Sequence, residues 1–300
     1  MLSFRTFGKI CTTLSGSLVL ASIILIIVPG PKLSIDFTGG SLLELQLPEH
    51  AGKEEVVMSL RLFDNDQHPL GNVAVSETRE KTFLLRLRTL SSEEHSALLL
   101  HLQKDFSHVT ELQFTTIGPT VGSSLQKRAI LALFLAMIAI VLYVAFAFRN
   151  IPKRYSPWKF GIIAVLALIH DVSITTGVFV ILSHTTSFEF DTLFVTALLT
   201  ITGYSVNDTI IIFDRIRENL SLQSKADTFE MIASRSLLQS LTRSLNTSIS
   251  TIIMLIALFL LGPANIQWFI LALVIGFIIG TYSSIGLATP LLVYWKGHQE

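Results

Sequence analysis

Six apolar runs punctuate the chain, at about 11–29, 129–148, 160–182, 192–213, 245–262 and 267–292. Each has roughly the 17–25 residues that a helix needs to cross a bilayer. They are arranged as one span, an insert, then five spans. The insert has a different pattern. SLLELQL (41–47) alternates, with Leu43, Leu45 and Leu47 on one face and Glu44 and Gln46 on the other, which predicts a strand. AGKEEVVMSLRLF (51–63) has helical spacing, and DNDQHPLG (64–71) is a turn cluster. NVAVSET and TFLLRLR read as two strands of a hairpin. SSEEHSALLLHLQKDF (91–106) opens like a helix, because Ser91 followed by Glu94 fits a capping box. VTELQFTTI (109–117) is the last strand. The order β-α-β-β-α-β is the split βαβ, or ferredoxin-like, arrangement.

Composition and charge sharpen this division. Half of the 300 residues are hydrophobic and 15% are charged, against about 25% charged in an average soluble domain. Residues 32–128 hold 10 Lys and Arg and 13 Asp and Glu, about half of all charges in a third of the length. That segment reads as water-facing and the remainder as membrane. A net charge of zero gives no footprint for nucleic acid. The single cysteine, Cys11, excludes an intrachain disulfide framework and a cysteine-based metal cage.

Orientation follows from Lys and Arg in the short loops. Arg5 and Lys9 precede the first span. Arg149, Lys153, Arg154 and Lys159 lie between the second and third, and Arg215, Arg217, Lys225 and Arg235 between the fourth and fifth. Lys296 follows the sixth, whereas 183–191 and 262–267 carry neither residue type. Every basic loop falls on one side, with both termini cytoplasmic and the insert extracytoplasmic. The first run continues into VPGPKLS with no small-x-small cleavage site, and so reads as an uncleaved signal-anchor helix. The expected domains are 1–30 (cytoplasmic N-terminus and first span), 31–128 (extracytoplasmic insert) and 129–300 (five spans and a cytoplasmic C-terminus). Met1 and the short basic N-terminus fit a free subunit.

Asp171, in LALIHDVSITTGV, falls near the middle of the third run. A charge at the bilayer centre costs about 2.5–3.5 kcal/mol on insertion scales. It is either a proton-binding group or a protonated packing residue, and Thr175 at i+4 shares its face. His170 points about 100° away along a helix and reads as a titrating group or a hydrogen-bonded structural residue. In the fourth run Thr196, Thr200, Gly203 and Asn207 form a small polar stripe suited to helix contact in lipid. Asp208 lies off that stripe, as an interfacial charge or a functional one. Beyond it, FDRIRENL (213–220) allows i+3 pairs, Asp214 with Arg217 and Arg215 with Glu218. In the fifth run Arg243, Asn246, Thr247 and Ser250 share one face, and Arg243 is either a site residue or a membrane-edge anchor. Gly276 and Gly280 form a GxxxG pair that lets backbones approach. DFTGG (36–40) joins the first span to the first strand, with Gly39 and Gly40 free to take unusual backbone angles.

No HExxH, GxSxG, Walker A or GxGxxG sequence occurs. Energy must then come from elsewhere, and the transmembrane proton gradient is the candidate. An elementary charge gains about 2.3 kcal/mol per 100 mV crossed.

SIDFTGGSLLEL, ALIHDVSITTGV, TGYSVNDTIIIFDRIREN, LTRSLNTSIST and GTYSSIGLATPL, in this order, resemble the SecF family of bacterial protein-export membrane proteins. The resemblance covers nearly the whole chain, and GYSVNDTIIIFDRIREN is its most specific part. It implies one half of a twelve-helix unit similar to the RND superfamily, paired with SecD in the bacterial inner membrane. It also implies association with the SecYEG translocon, with further accessory membrane subunits, and with a translocating polypeptide. Protons would be the coupling ion, with no cofactor, metal or catalytic residue. The family's essential intramembrane aspartate falls on Asp171 and its functional arginine on Arg243. Thr175, Asn207, Asp208, Asn246 and Thr247 are the supporting polar residues. Asp36, Gly39, Gly40, Asp214, Arg215, Arg217, Glu218, Asn219, Gly276 and Gly280 carry family motifs or packing. Ser34 departs from the glycine that many members have at this place. Two other readings stand beside this one: half of an RND-type exporter of small molecules or lipids, and an intramembrane enzyme using His170 and Asp171.

Overall fold

The computed structural model describes residues 4–48, 51–64, 70–71, 73–78, 81–149, 156–223 and 227–296. Most of the expected turn at 64–71, and the basic residues Lys153, Arg154 and Lys225, lie outside them. In chain order the elements are α1 (Phe4–Ile27), α2 (Ile35–Thr38), β1 (Gly40–Gln46), α3 (Lys53–Phe63), β2 (Ala74–Glu77), β3 (Phe83–Leu87), α4 (Ser92–Asp105) and β4 (Thr110–Ile117). They continue with α5 (Pro119–Ala147), α6 (Pro157–Thr185), α7 (Thr192–Ser221), α8 (Phe229–Leu261), α9 (Gln267–Ser283), a π-helical turn (Ser284–Ala288) and α10 (Thr289–Lys296). Among the described residues six helical segments are long and apolar enough to cross a membrane: α1, α5, α6, α7, α8 and Ala264–Trp295. Five of the six begin before the apolar run that announces them, and α1, α5 and α8 do so by about two turns or more. A helix continues wherever polar residues can remain hydrated, so its ends outrun its apolar centre.

The chain divides into two compact units. One comprises residues 32–130 and 182–192. Its antiparallel sheet has the strand order β2-β3-β1-β4. The alternation in β1 buries Leu43 and Leu45, and Leu47 just beyond it, with Phe83, Leu85 and Leu87 of β3. Val56, Leu60 and Phe63 of α3 and Leu98 and Leu102 of α4, at helical spacing, complete this core. The α6–α7 connection, which the sequence presents as a bare loop, belongs to this unit. Phe190 exchanges backbone hydrogen bonds with Lys32 and Ser34, and Arg86 of β3 pairs with Glu189.

The capping box of α4 is formed. Glu94 N donates to Ser91 Oγ at 3.2 Å and Ser91 N donates to Glu94 Oε2 at 2.8 Å. Arg88 adds an ion pair to Glu94. The Arg88 guanidinium first, and the Ser91 amide second, hold the Glu94 carboxyl down at about 2. A carboxylate lowered in the folded state contributes stability above its ordinary value of 4.5 and loses it as pH falls through about 2. Glu94→Gln should therefore cost about 1 kcal/mol or less at neutral pH, because the pair is solvent-screened. Below the folded value it should cost nothing. Thermal unfolding of the full chain and the variant at the two pH values checks this.

The other unit holds residues 1–31, 131–181 and 193–300. Half of the most apolar window of α6 and of α7 is buried, against 11% for α1 and α8 and 6% for α5. The centre is thus α6, α7 and α9, with Leu and Ile side chains of α1, α5 and α8 left outward. Helix α1 is admitted through a stripe of small residues. Its Gly8 abuts Pro290, Cys11 lies against Gly286, and Ser22 lies against Gly177. Toward one end Phe148, Phe160 and Phe213 stack and cross edge to face in a core with Ile216, Leu220, Phe229 and Ile232.

Candidate functional site

Asp171, on α6, has no exposed surface. Its Oδ2 accepts hydrogen bonds from Ser205 Oγ of α7 at 2.5 Å and from Ser283 Oγ of α9 at 2.8 Å. Its Oδ1 lies 2.8 Å from Nδ1 of His170, itself 3% exposed. Three helices therefore meet on one carboxyl. Gly276 and Gly280 make this possible. A side chain at Gly276 would overlap Ile201, and a Cβ at Gly280 would lie 3.0 Å from Ser205 Cβ. The π-helical turn begins immediately after Ser283, and such insertions are frequent at functional sites.

Two sequence expectations change here. Thr175 is buried, but its hydroxyl has no partner and makes no bond to Asp171. The carboxyl is turned across to α7 and α9 instead. His170, expected about 100° away, is in contact, because imidazole and carboxyl lean toward each other from adjacent positions. Its Nε2 has no partner, and its ring centroid is 6.1 Å from that of Tyr282. The Tyr282 hydroxyl reaches the Cys11 carbonyl at 3.1 Å and Ser15 Oγ at 3.2 Å. Neither Ser205 nor Ser283 was singled out in the sequence. The usable signal was that a buried carboxyl needs donors, and serines beside a GxxxG pair can supply them.

Arg243 is exposed on α8 and does not bond to Asp171. Asn246, Thr247 and Ser250 are exposed beside it, and on α7 so are Thr196, Thr200, Gly203 and Asn207. A Cβ at Gly203 would meet nothing within 4 Å. The α7 stripe read as a helix contact, and the polar face of α8, are thus uncovered in this chain. Asp208 is 4% exposed, and its Oδ2 has no hydrogen-bond partner. Ser244 Oγ of α8 is likewise buried without a hydrogen-bond partner. A second polar seam binds α7, α8 and α9: Tyr204 and Thr281 both donate to Ser248 Oγ, at 3.0 and 2.7 Å.

The FDRIREN segment forms both expected pairs, Asp214 with Arg217 and Arg215 with Glu218, each at 2.7 Å. It also does more. Arg217 donates to the Ala147 carbonyl at the end of α5 at 3.4 Å, a place that favours a cation. Asn219 donates to Ser236 Oγ and Gln239 Oε1 of α8, at 2.8 and 2.9 Å. Asp36 accepts from Thr192, the first residue of α7. Gly39 and Gly40 have φ of +74° and +130°, angles that explain the two glycines.

This geometry defines a polytopic membrane protein whose spans converge on an enclosed carboxyl, with a four-stranded insertion after the first span. The chain belongs to the SecD/SecF family of protein export membrane proteins. The family described as "Protein export membrane protein SecD/SecF, C-terminal" matches residues 99–298, and the SecD/SecF GG motif matches residues 24–47. The chain is 41% identical to the protein translocase subunit SecF of Thermobaculum terrenum, over 91% of this chain and 90% of that one. It is 35% identical to SecF of Anaerolinea thermophila, over 94% and 90%. The fold matches the crystal structure of SecDF from Thermus thermophilus, described as a translocon-associated membrane protein, with a TM-score of 0.84 and 32% identity. That match covers 99% of this chain and 39% of the SecDF chain.

Proposed function

We propose that this chain is an accessory subunit of Sec protein export. It pairs with SecD and uses the proton-motive force to promote translocation or release of exported polypeptides at the SecYEG translocon. It acts without cofactor, nucleic acid or catalytic site, with protons as the coupling ion. It lies in the bacterial inner membrane with both termini cytoplasmic. Residues 31–128 form an extracytoplasmic, ferredoxin-like domain, for which the strand order and element order speak. The observation that carries the reading is Asp171. A carboxyl buried at the meeting of three helices, with donors from two of them and an imidazole on its free side, can exchange a proton and move helices as it does so. Asp208 is a second buried carboxyl, next in sequence to the exposed Asn207 of the α7 stripe, and Arg243, Asn246 and Thr247 are exposed polar residues of α8.

The uncovered stripes favour SecD as their cover, since a polar face left against lipid is costly. Cysteines placed at Gly203 and Asn246 should cross-link to SecD in membranes, whereas cysteines at the exposed, apolar Leu131 and Leu135 of α5 should not. Equal labelling of both sets by a membrane-soluble thiol reagent, with SecD present, would remove the proposed interface.

A further inference from the structure

Asp36 is only half-buried, and its Oδ2 accepts two hydrogen bonds, from Thr192 N at 3.0 Å and Thr192 Oγ1 at 2.7 Å. Thr192 begins α7. Its amide is one of the four that a helix start leaves without a partner. The partner comes from a residue 156 positions earlier in the chain. A carboxylate there also suits the positive end of the helix dipole.

The surroundings hold Asp36 in place. Its own amide donates to Ser34 Oγ at 3.2 Å, and Ser34 N donates to the Phe190 carbonyl at 2.9 Å. Phe190 N returns a bond to the Lys32 carbonyl at 2.9 Å. A Cβ at Gly39 would come within 2.8 Å of Pro119 Cα, and one at Gly122 within 3.0 Å of the Phe37 carbonyl. The start of α5 is therefore packed directly on the turn that presents Asp36. Nothing larger than hydrogen fits at either glycine.

From Thr192, α7 continues without interruption to Ser221 and carries Ser205. At 1.5 Å of rise per residue Ser205 is about 20 Å along the same helix. We propose that Asp36 is a positioning residue for the proton site: by tying the first turn of α7 it holds Ser205 in register on Asp171. This rests on the reading of Asp171 as the coupling carboxyl. Asp36 touches no proton in transit. It fixes the helix that supplies one of the two hydroxyl donors.

The test uses the full chain assembled with SecD. Gradient-dependent export is measured across a pH series, together with the amount of assembled complex. Asp36→Ala removes both bonds, whereas Asp36→Asn keeps an acceptor of the same shape. Asp36→Ala should lower export about fivefold, the factor by which losing a typical N-cap shifts a helix equilibrium, and should displace its pH profile. Asp171, which Ser205 donates to and His170 faces, is the group whose proton exchange that displacement reports. Asp36→Asn should restore the profile and at least about half of the rate, since asparagine caps as well as aspartate. If Asp36→Ala lowers only the amount of complex and leaves the profile of the remainder unchanged, the residue is a fold cap and the proposal fails. Asp171→Asn is run in parallel. Normal export by that variant would overturn the coupling-carboxyl reading itself. A dead Asp171→Asn beside a normal Asp36→Ala would overturn the Asp36 proposal alone.

Discussion

Asp171→Asn should abolish gradient-driven export while leaving the chain inserted and paired with SecD. Asparagine matches aspartate in shape. Its carbonyl can still accept from Ser205 and Ser283, and its amide can still face His170 Nδ1, so the contacts among α6, α7 and α9 survive. What is lost is the proton-binding group. Export should fall to the level seen when the proton gradient is collapsed. Removing one donor is a smaller change. Ser205→Ala leaves Ser283 and His170 in place, and should weaken export and shift its pH profile without ending it. The measurement is export with and without a collapsed proton gradient, at matched complex levels. A normal rate from a well-assembled Asp171→Asn variant would leave the carboxyl as a packing residue only.

The features that sequence announced are the local ones. The alternation of Leu43, Leu45 and Leu47 announces its own buried face, because period two fixes which side chains share a side. Ser91 with Glu94, Asp214 with Arg217 and Arg215 with Glu218 were readable because both partners sit within one helical turn. The isolated charge at Asp171 was readable because its cost in lipid is intrinsic to the residue. Its neighbours were not. Ser205 and Ser283 lie 34 and 112 positions away, and a serine in an apolar helix is unremarkable until packing shows where it points. Thr175 misled for the opposite reason: shared helical face gives opportunity, but a carboxyl with two better donors across the helix interface turns away from it. The Asp36–Thr192 cap and the Asn219 bonds to α8 are likewise tertiary. Arg243 and the α7 stripe are exposed in this chain, and SecD is their proposed cover.

The glycine pair on α9 offers a way to separate packing from chemistry. Gly280→Ala would place a methyl group 3.0 Å from Ser205 Cβ, so the two helices must part by a few tenths of an ångström. Overpacking of this kind costs roughly 1–3 kcal/mol, and here it falls on the residue that donates to Asp171. Gly276→Ala instead drives a methyl into Ile201, which bonds to nothing. Both variants should destabilise the chain and reduce export. Their second-site partners should then diverge. Ile201→Ala in the Gly276→Ala background opens the needed space and should recover both stability and export. Ser205→Gly in the Gly280→Ala background also opens the space, but it removes the hydroxyl. That double variant should regain thermal stability in detergent while gradient-driven export stays low. If it exported as well as the Gly276→Ala/Ile201→Ala pair, Ser205 would be only a close contact. If neither pair regained stability, the tight α7–α9 approach would not depend on these glycines. Divergence between the two pairs assigns the glycines to packing and the serine to the proton site, because only one of the two rescues returns a donor to Asp171.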